Sequence, residues 1–295
     1  VCKGMAYGPV TVLRSPKQHI RHDKIWDVKA ELERVNSAVE CARKELQSLY
    51  ERASQEIGIS GGEIFQVHRM ILEDEEYLKA VRHTIQTEMV NAEYAVKFTS
   101  ERYGDLFFRM KDDYMRARAM DIKDVSDRLL RVLNGGEDTR RSLDEPAIIV
   151  ADDLSPSETM GFCREKVLAF VTVRGSTNSH TAILARLMNI PALVGVPVDL
   201  GEIQDGIRAF VDGFEGMVTF EPDEDVYRKA NERMEDEQEK LCLFQELKGK
   251  ESITPGGKRI LICANIGSVR DVERALENDA EGIGLFRSEF LYLGR

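Results

Sequence analysis

Residues 174–195 read RGSTNSHTAILARLMNIPALVG. A run of small polar residues leads into a segment whose Ile183, Leu184, Leu187 and Met188 fall on one side of a helix. Pro191 then opens the short apolar run PALVG, which has the composition of a buried strand. A polar loop, a one-sided helix and a strand in immediate succession are the repeating unit of an α/β domain.

His180 sits where the loop becomes the helix. Ser176, Thr177, Asn178 and Ser179 are all N-cap candidates, which puts His180 in the first helical turn. Free backbone N–H groups and the positive dipole end favour an anion there by about 0.3–1 kcal/mol, or about 2 when partly buried. The same field disfavours an imidazolium, so a neutral His180 keeps a nucleophilic lone pair. Hydroxyls of Ser176, Thr177 and Ser179 and the Asn178 amide can donate to phosphate oxygens, and Gly175 permits close backbone approach. From the residues alone, His180 as a packing or capping side chain stays open beside His180 as a nucleophile. A zinc site is disfavoured because no second His or Cys lies at ligand spacing.

Outward from this unit, the segments AIIVA, VLAFVTV, PALVGV, IRAFVDG and GMVTFEP alternate with helical PSETMGF and TAILARLMN between Pro146 and Phe220. At the amino end, GMAYGPVTVLR reads as one further strand, its Gly and Pro marking the strand ends. Between them lies a helical block from Asp27 to Leu133, with apolar residues such as Val28, Leu32, Val35, Val39 and Ile64, Val67, Met70, Ile71 at spacings of three and four. Breaks at Gly58–Gly62, at Asn91 and around Asp112 and Asp113 predict about four helices. The block therefore reads as an insertion into one α/β domain whose two parts meet in space. Pro222 to Leu247 carries a sparse apolar stripe among charges and predicts a long connecting helix. TPGGKRILICANIG, VRDVERALEN and AEGIGLFRSEF then read as a hairpin turn feeding a strand, a helix and a second strand, the opening of a β-α-β series.

Composition bounds the function classes. The formal charge of -11 weighs against a general nucleic-acid binder and leaves room for a basic protein partner. The five cysteines are odd in number and scattered, which excludes a disulfide framework and fits free thiols. No apolar run reaches the ~18 residues of a membrane span, and VCKGMAYGPV lacks the features of a secretory signal, so a cytoplasmic location is expected.

GSTNSHTAILAR together with NIPALVG resembles the phosphohistidine signature of the phosphoenolpyruvate-utilising enzymes. The segments KGMAYGPV, EIFQVHRMILEDEEYL, RARAMDIKDVSDRLLR, ADDLSPSET and ANIGSVRDVERALENDAEGIGLFRSEFLYL narrow the resemblance to the enzyme I family of the bacterial sugar phosphotransferase system. The fold implied is an α/β phosphohistidine domain (1–26 and 134–221) with an inserted α-helical bundle (27–133), a linker helix (222–250) and the start of a (β/α)8 barrel (251–295).

The resemblance implies that His180 takes phosphate from phosphoenolpyruvate on Nε2 and passes it to a histidine of the phosphocarrier protein HPr. It makes Gly175, Ser176, Thr177, Asn178 and Ser179 the phosphate cradle, although Ser176 and Asn178 stand where the family usually has a second glycine and a threonine. It gives Thr159 a hydrogen bond to the resting histidine, whereas local chemistry favours a bond to its own helix backbone. It assigns His68, Leu72, Glu75, Glu76 and Arg118 to the HPr-docking surface, against the plainer reading of His68 and Leu72 as core residues. Arg287, ending the last strand, matches a phosphoenolpyruvate-binding arginine, in keeping with barrel sites at strand C-termini. Mg²⁺ is implied for the full-length enzyme only, with its ligands beyond Arg295, and no metal ligand is expected among the present residues.

A chain ending at Arg295 is expected to be a monomer that exchanges phosphate with HPr without using phosphoenolpyruvate, while full-length relatives are dimers. Two alternatives are the phosphohistidine domain of a pyruvate-phosphate dikinase or phosphoenolpyruvate synthase, which the helical block disfavours, and an HPr-binding module that carries no phosphate and has no need of His180.

Overall fold

The structure is a computed structural model that describes all residues except 15–19, 111–112, 137–142, 178, 268, 270 and 288–295. It divides into two compact units, Val1–Glu221 and Pro222–Arg295.

The first unit is built on a six-stranded sheet. Its strands are β1 (Met5–Leu13), β2 (Ala147–Ala151), β3 (Val167–Thr172), β4 (Ala192–Val194), β5 (Arg208–Asp212) and β6 (Met217–Phe220), in the order β4-β3-β2-β1-β5-β6. β1 runs parallel to β2 through Val10–Leu13 and antiparallel to β5 through Met5–Pro9, so the amino-terminal strand closes onto a strand beyond the helical block. The expectation that Gly and Pro end this strand is corrected, because Gly8 and Pro9 lie inside it. Pro9 is tolerated where β1 hands over from one partner to the other, and the following amide, Val10 N–H, donates to Ile207 O (2.8 Å). All five residues of β2 are buried, as a central strand covered on both faces requires.

The helical block contains five helices where about four were expected: α1 (Val28–Glu56), α2 (Ile59–Leu72), α3 (Glu75–Glu88), α4 (Ala92–Phe108) and α5 (Asp113–Leu133). The break that the sequence reading passed over lies at Asp74, whose carboxylate caps α3 by accepting from Tyr77 N–H (2.9 Å). GISGG does break the chain, but only at Gly58, with φ +89°; Gly61 and Gly62 belong to α2. The inward line of α2 is Phe65, His68 and Leu72, while Met70, predicted to be part of the apolar stripe, is exposed. A histidine in the buried line hid the true periodicity.

One apolar cluster joins the helices to one face of the sheet through Ile149, Phe170, Leu184 and Met188, and a second, including Val10, Ile148, Val150 and Val171, fills the opposite face. Polar fastenings accompany the first. Glu45 of α1 binds both Arg131 and Arg128 of α5, and Arg128 also donates to Ser157 Oγ (2.5 Å) of α6 (Pro156–Gly161). Helix α7 (His180–Met188) ends at Asn189 in the left-handed conformation, with Ile190 N–H returning to Ala185 O (2.9 Å), and feeds β4.

In the second unit, helix α8 (Glu224–Glu246) is followed by β7 (Cys263–Ile266), α9 (Asp271–Glu277) and β8 (Gly282–Phe286). β7 and β8 pair in parallel, and a turn with Gly257 at φ +81° precedes them beside the Ile253–Arg259 bridge.

Candidate functional site

The loop before α7 holds its shape through specific bonds. Gly175 has φ +103°, a conformation costly for any side chain, and an added Cβ would lie 3.4 Å from Ser179 Oγ and 3.6 Å from Thr172 Oγ1. Ser179 is the N-cap, its hydroxyl accepting from Ala182 N–H (3.3 Å). Arg186, one face along α7, donates to Ala182 O and to Thr177 O, and so clamps the loop to the helix that follows it. Thr181 Oγ1 donates to Leu154 O (2.7 Å) and ties α7 to the segment before α6. Ser176 and Thr177 are exposed; Asn178 lies outside the described residues.

His180 is thus the first residue of α7, with 27% of its side chain exposed. Its Nε2 faces the helical bundle, 3.5 Å from Asp121 Oδ1 of α5. The same oxygen lies 3.4 Å from Nε2 of His68 on α2, and the two imidazole rings are 6.1 Å apart, edge to face. Asp121 Oδ2 accepts from Arg118 Nη1 at 3.1 Å. One carboxylate, 5% exposed, therefore stands among two imidazoles and a guanidinium. Neither His68 Nε2 nor Asp121 Oδ1 completes an aligned hydrogen bond.

Electrostatics follow from this packing. Burial pushes the Asp121 carboxyl up, but the contact with His68, the nearby His180 and Arg118 together outweigh it and hold the group below the ordinary carboxylate range. For His180, burial is the largest influence and lowers its pKa from 6.5; Asp121 opposes this, while His68 and Arg118 reinforce it. The imidazole is neutral at pH 7, as its place in the sequence suggests, though burial rather than the helix end leads.

Several predicted site residues occupy places other than those expected. Thr159 is fully buried and its hydroxyl donates to Ser155 O (2.9 Å), one turn back in α6, rather than to His180. His68 and Leu72 are buried and do not belong to an accessible docking surface; His68 instead reaches the histidine site from within. Glu75 and Glu76 are exposed in the first turn of α3, and Arg118 is partly exposed beside Asp121. Arg287, exposed, follows β8 in the second unit, its N–H bonded to Ile266 O (2.8 Å). Asp121 was missed. Its signal is a carboxylate in line with buried Ile122, Val125 and Leu129 on the inward side of an amphipathic helix.

A concavity of about 590 Å³ lies elsewhere, lined by residues including Asn36, Glu40, Arg43, Glu73 and Arg82. Its charges are satisfied locally, Arg43 by Glu40 (2.9 Å) and Arg82 by Asn36 (3.2 Å), and it holds no nucleophile. Among the described residues, no three His, Cys, Asp or Glu side chains gather as a set that could hold a metal ion. No helix among them is long and apolar enough to cross a membrane.

Comparison with known proteins identifies what carries this arrangement. Residues 1–118 match the description PEP-utilising enzyme, N-terminal; residues 143–216 match the mobile domain and residues 243–295 the PEP-binding domain of the same enzymes. The phosphoenolpyruvate-protein phosphotransferase of Bacillus subtilis is 37% identical over 293 residues, and that of Priestia megaterium 35%. The chain spans about half the length of these relatives, 51% in both cases. A solution structure described as enzyme I is similar with a TM-score of 0.66 at 32% identity, over 81% of this chain and 100% of that one. The N-terminal domain of a nitrogen enzyme I shares the fold, with a TM-score of 0.54 at 24% identity.

Proposed function

The chain belongs to the phosphoenolpyruvate-utilising enzymes, and within them to the enzyme I family, and from that premise we propose that it is a phosphoenolpyruvate-protein phosphotransferase whose His180 carries the phosphoryl group. The observation that bears most weight is the site itself: a neutral, partly exposed imidazole at the first position of α7, with a glycine-shaped, hydroxyl-bearing loop beside it.

In transfer from a phosphorylated histidine of HPr, the Nε2 lone pair of His180 forms a new bond to phosphorus. The donor's N–P bond breaks and its electron pair stays on the donor nitrogen. Once Nε2 is unprotonated the transfer step itself moves no proton, so the protein's contribution to it is position and charge compensation. Gly175, Ser176, Thr177 and Ser179 supply the backbone approach and hydroxyl donors for the phosphate oxygens, and Asn178 completes the predicted cradle. In the transfer state Nε2 has to face these donors and solvent, away from the bundle.

The domain reading that accompanies this function assigns 1–26 with 134–221 to the phosphohistidine domain, 27–133 to HPr docking, 222–250 to the linker and 251–295 to the start of the phosphoenolpyruvate-binding barrel. The parallel β7–α9–β8 unit supports the last assignment, and Arg287 at its C-terminal edge has the place expected of a phosphate contact. Exposed Glu75 and Glu76 supply acidic charge for a basic carrier surface, whereas His68 and Leu72 are withdrawn from it. Magnesium belongs to the phosphoenolpyruvate step; the described residues offer no fitting ligand set, and no step described here passes through it.

Calorimetric titration with HPr tests the separation of docking from chemistry. His180→Ala is expected to bind HPr within about threefold of the parent while taking no phosphate. Loss of binding in that variant would show that the two sites are one.

A further inference from the structure

We infer that Asp121 is a positioning residue that holds His180 in a resting orientation, its Nε2 turned into the bundle and bearing the proton, and that phosphate acceptance requires the ring to leave this carboxylate. The inference rests on the reading of His180 as the phosphate acceptor.

Three observations carry it. Asp121 Oδ1 is 3.5 Å from His180 Nε2, so the atom assigned to phosphorus faces an anion. A dianionic phosphoryl group placed there would meet a buried like charge, which is unfavourable in a site with little solvent to screen it. Second, Asp121 is flanked by other groups of the bundle. Arg118 binds Oδ2 at 3.1 Å, and His68 Nε2 approaches Oδ1 at 3.4 Å from α2. The carboxylate is therefore fixed by the bundle, and His180, more exposed and at the end of α7, is the member of the pair able to turn. Third, the Thr159 hydroxyl, which the family resemblance offers as the resting partner, gives its one proton to Ser155 O, while the side-chain contact made by His180 Nε2 is the one with Asp121 Oδ1.

A neutral imidazole facing a carboxylate places its N–H toward it and its lone pair on the other nitrogen. In the resting orientation Nε2 of His180 is then a poor nucleophile. Acceptance calls for rotation away from Asp121 and transfer of the ring proton from Nε2 to Nδ1 through solvent. Other groups facing His180 are His68 from α2, Arg118 from α5 and Asp153 from the segment between β2 and α6. Asp121 Oδ1 approaches Nε2 to 3.5 Å.

The test uses the whole 295-residue chain with ¹⁵N-labelled histidine. Long-range ¹H–¹⁵N correlation at neutral pH reads the His180 tautomer in the parent, in Asp121→Asn and in Asp121→Leu. The parent should be mainly Nε2–H, and both variants should shift toward Nδ1–H by about threefold or more, Leu further than Asn. With phosphoramidate as a small N–P donor, both variants should acquire phosphate on His180 about 3- to 10-fold faster than the parent. Amide spectra and thermal melts verify that each variant is folded, and a purely structural carboxylate would move the melt without moving the tautomer. Nδ1–H in the parent, or tautomer ratios and phosphorylation rates equal in all three proteins, would overturn the inference. Phosphate on His180 in none of the proteins would instead remove the acceptor reading, while the tautomer ratios would still decide whether Asp121 holds the ring.

Discussion

His180 is kept neutral mainly by being taken partly out of water, and that has a consequence for stability. Its folded pKa lies below the unfolded value of 6.5, so its contribution is fully present above that pH and is lost as pH falls through the folded pKa. Replacing it with Asn should remove this dependence. Melting temperatures of parent and His180→Asn are therefore expected to diverge between about pH 7.5 and pH 5.5, the parent losing more. Identical slopes would mean that His180 titrates as it does in the unfolded chain. The place of His180 at the start of α7 was legible in the sequence because Gly175, Ser179 and the one-sided helix all lie within a few residues, whereas its role as acceptor is implied by the family resemblance and not by those neighbours. Asp121 was not, since its tie to His180 spans elements and leaves no trace in spacing. A charged residue in the buried line of α5 is what a reader could have seen, and the buried line of α2 carries His68 in the same way.

Caps and core contacts decide the elements. Asp74 ends the ambiguity between one long helix and two by capping α3, and Asp74→Ala should cost about 0.5–2 kcal/mol, measured by urea unfolding. A change within error would mean that the tertiary fold alone fixes the start of α3. This boundary is hard to see in sequence because the run Glu73–Glu76 is wholly acidic and LEDEEYL offers neither Gly nor Pro. Strands β2 to β6, by contrast, were legible as elements, since each apolar run is short and bounded by turn residues. Pro9 misled because proline is usually read as a strand end, and nothing local shows that a strand is changing partners. At the bundle's inner edge, Glu45 satisfies Arg128 and Arg131 together. Glu45→Leu takes the carboxylate away from a 5% exposed guanidinium and should destabilise by about 2–4 kcal/mol in the same unfolding measurement.

For the whole molecule, the first unit contains His180, the proposed phosphate acceptor, together with α2, α5, the Gly175 loop and α7 around it. Besides the docking role proposed for it, the helical block forms one wall of the histidine site through His68, Arg118 and Asp121. That role could not be read from an insertion boundary, which tells where chain enters and leaves a domain but not which face packs back on it. Arg287 lies in the second unit, and Arg287→Ala is expected to leave exchange with HPr unchanged within about twofold; a large loss would show that the second unit takes part. The most direct test of the account is incubation with phosphorylated HPr, followed by mass spectrometry at neutral or alkaline pH, where phosphohistidine survives. One phosphate mapped to His180 is the predicted result. Phosphate on another residue, His68 included, or none despite measurable HPr binding, would contradict it.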